Sequence, residues 1–156
     1  MNTLMLVGIL FVIISSILVI LRTPMPAVFL SLVSGKLFAE ELSLDLHEKI
    51  TQFALIKDIN TAGLLLLLLP VIFTVVLMQG KTPHSKLLIN SMAMVFVGAT
   101  LVIFADPYLN IISKLNSSEF EVISQYKSYI VSVTAALAVL LTWSSAIDFA
   151  GHKKRK

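Results

Sequence analysis

Apolar positions in this chain fall in long unbroken runs rather than in the sparse alternation of a soluble fold. The first run, Leu4 to Leu21, holds Gly8, Ser15 and Ser16 but no charge. As a helix it covers roughly 27 Å, close to the ~30 Å hydrocarbon core of a bilayer. A cleaved leader would place basic residues before such a run and a small-residue site after it. Here Met1, Asn2 and Thr3 precede it and Arg22 follows, so the pattern reads as a retained span.

Thr23, Pro24, Met25 and Pro26 break the pattern, and proline suits such a turn or the first turn of a helix. From Pro26 to Phe38 the chain is apolar again but short for a crossing. Charges then enter with Glu40, Glu41, Asp45, Glu48 and Lys49, while Leu42, Leu46, Ile50, Phe53 and Ile56 recur at three- and four-residue spacing. That spacing predicts a separate amphipathic helix over 42–57, outside the hydrocarbon, with Asp45 and Glu48 as a capping box.

Ala62 to Gln79 is the clearest span, with leucine from Leu64 to Leu69 and a kink expected at Pro70. Leu87 to Ala105 is the next, and Asp106 with Pro107 predicts its end, since the residue before proline is pushed away from helical geometry. Ser118 and Glu121 form a second capping box, starting a helix that runs to Ile147, with Trp143 placed to meet an interface.

The fold class is therefore all-α: a polytopic transmembrane helix bundle with an amphipathic extramembrane or interfacial helix. Crossings are expected near 4–21, 26–40, 62–79, 87–105 and 128–147 in a single domain covering 1–156. Five crossings put Arg22, Lys81, Lys86 and Lys153 to Lys156 on one side, seven basic residues against the single acid Asp148. The other side has five basic residues and eight acids. The positive-inside rule then places the C-terminus in the cytoplasm and the N-terminus outside. A four-crossing arrangement, with Pro26 to Phe38 re-entrant, would move Arg22 to the acidic side and fits the charges less well.

Composition sharpens this. Of 156 residues, 57% are hydrophobic and only 13% charged, too few to coat a soluble domain. The mean hydropathy is +0.93. No cysteine is present, which excludes thiol catalysis and thiolate metal sites. The sequence holds no zinc-protease, nucleophile-elbow, P-loop or dinucleotide signature. His47, His84 and His152 lie in three separate segments. No enzyme, cofactor, metal or nucleic-acid partner is implied.

Candidate function rests on polar and small residues within the spans. Lys36, Glu40 and Glu41 form a possible polar interface or transport site, Lys36 and Glu40 being one helical turn apart. Asn90 lies near a helix end, where it is expected to meet headgroups or water. Ala27, Ser31 and Gly35 repeat every fourth residue, as do Thr134, Ala138 and Thr142, beside Ser128, Ser132 and Ala136. Gly8 and Ser16 share a face of the first run. Such stripes let helix backbones approach closely in lipid. The reading is a noncatalytic membrane protein, an accessory, assembly or regulatory subunit working through helix contacts. Its partners would be membrane lipid and another membrane protein or a second copy of itself. A subunit of an oligomeric channel or transporter is the alternative.

Overall fold

The computed structural model describes residues 3–52, 58–82, 86–109 and 117–153. Within them the chain forms five helices: α1 (Thr3–Ile20), α2 (Met25–Gln52), α3 (Ile59–Met78), α4 (Leu87–Leu109) and α5 (Ser117–Lys153). No strand occurs among the described residues. Three segments, Asn60–Met78, Leu87–Leu109 and Gln125–Ser144, are long and apolar enough to cross a membrane, and Phe11–Ile20 is a shorter apolar helix.

Two boundaries differ from expectation. Met25–Gln52 is one continuous helix, so the apolar run and the amphipathic segment are not separate elements, and the chain does not turn back within 26–38. Its 28 residues extend about 42 Å. No glycine or proline stands between Lys36 and Gln52 to interrupt the hydrogen-bond ladder, and the change from apolar to charged residues alters the surroundings of a helix, not its backbone. The continuity also overturns the Asp45–Glu48 capping box, because Asp45 lies in the helix interior, where there is no N-terminus to cap. The apolar stripe expected from Leu42 to Ile56, the box at Ser118 and Glu121 and all three histidines concern side chains outside the described residues.

The second difference is at Asp106 and Pro107, which do not end α4; the helix continues to Leu109. Proline there lacks one amide donor and so removes a single bond from the ladder, which a helix can pass through. α3 likewise passes through Pro70 as helix. It is started by Asp58, whose Oδ1 accepts from the Asn60 amide and whose Oδ2 accepts from the Thr61 hydroxyl, both at 3.2 Å.

α4 is the centre of the bundle, packing on all four other helices. Leu101, Val102, Ile103, Phe104 and Ala105 are consecutive and all buried, as in a helix surrounded by protein. Gly35 of α2 meets Leu67 of α3, Ser15 of α1 meets Gly98 of α4, and Gly63 of α3 meets Tyr108 of α4. Asn90 of α4 bonds to Met25 of α2. These registers run α1 antiparallel to α4, α3 antiparallel to α4, and α2 parallel to it. Thr134 of α5 lies beside Thr100 of α4. Were α5 parallel to α4, Leu109 and Ser117 would be roughly 39 Å apart, beyond the ~29 Å reach of the intervening peptides. Consecutive helices therefore alternate in direction throughout. α1 makes its main contact with α4, across the bundle from its sequence neighbour.

Candidate functional site

The polar residues singled out by sequence sit where α2 passes α4. Lys36 Nζ lies 3.4 Å from Glu40 Oε1 and 4.5 Å from the centroid of the Phe104 ring. The ammonium is thus held by a carboxylate one turn along its own helix and by the face of a ring on the neighbouring one. The two side chains are 36% and 54% exposed, so the pair is screened and the ion pair itself adds little stability. Glu41 is exposed. One turn further along α4, the Tyr108 ring packs onto Gly63, where a Cβ would collide with it. Lys36 thus joins α2 to α4, and Tyr108 joins α4 to α3.

The small residues divide by face. Gly35 lies directly against the Leu67 backbone, and a Cβ there would overlap the Leu67 carbonyl oxygen and come 3.0 Å from its carbon. Ser31 is buried and its hydroxyl donates to the Val28 carbonyl at 2.8 Å; Ala27 is half-buried. Gly35 thus brings α2 and α3 into close approach. In α5, Thr134 and Ala138 are buried, but Thr142 is exposed and its hydroxyl donates back to the Ala138 carbonyl at 2.8 Å. Ser128, Ser132 and Ala136 are exposed. Gly8 and Ser16 are exposed too, and nothing lies within 4 Å of a Cβ placed on Gly8, so Gly8 makes no close helix approach within the chain. The contact of α1 is made instead by Ser15, 7% exposed, whose side chain fills the space left open by Gly98. A serine on one helix facing a glycine on another leaves no periodic mark in either helix alone.

Asn90 corrects a further expectation. It is buried, 6% exposed, and meets protein rather than headgroup or water. Its Oδ1 accepts from the Met25 amide at 2.8 Å, and its Nδ2 donates to the Thr23 carbonyl at 2.8 Å. One side chain of α4 thereby caps the first turn of α2 and fixes the turn leading into it. The neighbouring connection is fastened as well. The Gly80 amide donates to the Leu21 carbonyl at 3.0 Å and the Thr82 amide to the Arg22 carbonyl at 3.2 Å. The α3–α4 connection is thus strapped to the α1–α2 turn. The C-cap of α3 is Gln79, with φ −54° and ψ 133°, and Gly80 follows at φ 71° as the third residue of a turn closed by the Lys81 amide donating to the Met78 carbonyl at 3.2 Å; Arg22 adopts φ 50° after α1, where a side chain makes that conformation costly.

At mid-height, Thr100 Oγ1 and Thr134 Oγ1 are 3.0 Å apart between α4 and α5. Each also reaches the carbonyl four residues back on its own helix, Phe96 at 2.9 Å and Ile130 at 2.6 Å. Each hydroxyl has one proton, so one threonine donates to its helix while the other donates across.

The side chains of Asn90, Thr100 and Thr134 are thus engaged with backbone carbonyls and amides, whereas the hydroxyls of Ser15, Thr23 and Thr82 are buried without a hydrogen-bond partner. Among the described residues no three metal-ligating side chains of His, Asp or Glu gather. Comparison of the chain with protein-family models, with curated proteins and with solved structures finds no match.

Proposed function

We propose that this chain is a small noncatalytic integral membrane protein, an accessory, assembly or regulatory subunit that works through helix contacts. The observation that carries the reading is the two-faced character of α5. Thr134 and Ala138 face α4 and are buried, whereas Ser128, Ser132 and Ala136 form a second small-residue row that is exposed. A helix that only met lipid on that side would gain more from long apolar side chains, as on the outer faces of α1 and α3, where Ile13, Ile17, Ile72 and Phe73 are exposed. A small-residue row leaves room for another helix, from a membrane partner or a second copy.

The channel or transporter reading receives less support. The Lys36 charge is matched by Glu40 and covered by Phe104, and the mid-height threonine hydroxyls bond to helix carbonyls. The orientation that fits the charges has Arg22, Lys81 and Lys86 in the cytoplasm, with Glu40 and Glu41 outside.

A photoreactive residue at Ser132, in native membrane, should give a discrete adduct that the same residue at Phe73 does not give. Equal labelling at both positions, or none at either, would overturn the reading.

A further inference from the structure

The strap between the two connections has a charge as well as a geometry. The Gly80–Leu21 and Thr82–Arg22 hydrogen bonds bracket Lys81, so its backbone lies alongside that of Arg22. Both residues are exposed, while the residues that follow them, Thr23 and Thr82, are 0% and 8% exposed. The Asn90 bond to the Thr23 carbonyl ties the strap to the bundle, and the two cations are exposed on it. Glu40, Glu41, Asp58 and Asp106 lie at the opposite end of the helices, and on this side Asp148 alone stands against Arg22, Lys81, Lys86 and Lys153 to Lys156, so this end keeps a positive excess. Just below, in the last turns of α1 and α3, Ile20, Val76 and Leu77 are 75%, 67% and 60% exposed. Two cations above an apolar collar match an amphiphile with an anionic head and hydrocarbon tails.

We propose that Arg22 and Lys81 form a binding site for the headgroup of an anionic phospholipid, with the exposed ends of α1 and α3 receiving its acyl chains. The fixed backbone matters to this assignment. Two lysines on a mobile loop would attract a charged surface diffusely, whereas two cations on hydrogen-bonded neighbouring backbones present a set spacing to one headgroup. The collar favours a lipid over a free anion, since a soluble phosphate has no use for exposed isoleucine, valine and leucine.

The test is native mass spectrometry of the full chain released from vesicles of mixed phosphatidylglycerol and phosphatidylcholine. The wild type should retain phosphatidylglycerol preferentially, in bound copies of defined number. Arg22→Asn removes the charge with a residue that tolerates the left-handed conformation, and Lys81→Gln removes the other without touching the strap bonds. The double variant should lose the preference by roughly tenfold or more, each basic residue near an anionic surface contributing several-fold. Neutralising Lys153 to Lys156 should leave the retained lipid in place, and excess inorganic phosphate should not displace it. Helix content by circular dichroism establishes that the variants are folded, and Lys81→Gln alone provides a second, milder readout. Undiminished preference in the folded double variant, loss of retention on neutralising the tail alone, or displacement by inorganic phosphate would each overturn the site.

Discussion

At Asn90, a single amide side chain satisfies a donor and an acceptor of another element's backbone, and both would otherwise be buried without partners. Leaving a buried polar group unpaired costs about 1–3 kcal/mol, more than a made bond contributes on average. Asn90→Ala is therefore expected to destabilise the protein by about 2–4 kcal/mol, measured by denaturant titration in detergent. Asn90→Asp keeps the acceptor for Met25 but sets a carboxylate oxygen against the Thr23 carbonyl. That variant should be less stable than the wild type in the same titration, and unchanged stability would show that the Thr23 bond contributes nothing. The threonine pair is a smaller effect. A double-mutant cycle on Thr100→Val and Thr134→Val should give a coupling of about 0.6 kcal/mol, near the average for hydrogen bonds between membrane helices.

Among the elements, the tightest approach is that of α2 to α3 at Gly35. Gly35→Ala drives a methyl group into the Leu67 backbone, which has no rotamer with which to yield. The helices must part, at a cost of about 1–3 kcal/mol, with a fall in thermal stability as the readout. Gly8→Ala meets open space and should be near neutral, which separates helix packing from glycine content. The same contrast shows what was legible in the sequence. Long charge-free runs announce helices because the bilayer leaves little else, so α1, α3, α4 and the apolar part of α5 could be read directly. The stripe Ala27, Ser31 and Gly35 was legible for the same reason, one face repeating every fourth residue. The continuity of α2 was hidden, because a change of composition resembles a boundary although the backbone ladder is indifferent to it. The roles of Ser15, Gly98 and Asn90 were hidden more deeply. They depend on which residue of a distant helix stands opposite, and that is settled by packing rather than by any local pattern.

For the whole molecule, alternating helix directions place the first residues of α1 and the last of α5 at opposite ends of the bundle. If every helix crosses, the termini lie on opposite faces of the membrane. Cysteines at Asn2 and His152, in a chain that has none of its own, should then label from opposite sides of sealed, oriented vesicles. Labelling of both from one side would require a different number of crossings. The basic strap of Arg22 and Lys81 at one end and the Lys36–Glu40 pair at the other give the bundle unlike ends, which is what a fixed orientation demands.

The unbroken α2 also has a mechanical meaning. Gly35 rests on Leu67 as on a fulcrum, and from there to Gln52 the helix is a stiff arm about 26 Å long. Without a glycine or proline in that arm, force applied to its acidic outer half is not absorbed by bending. A tilt of about 10° at the fulcrum sweeps the tip through roughly 4 Å, and a push of that size at the tip is returned as torque on the α2–α3 contact. Whatever touches the charged arm thus has a rigid handle on the packing at Gly35.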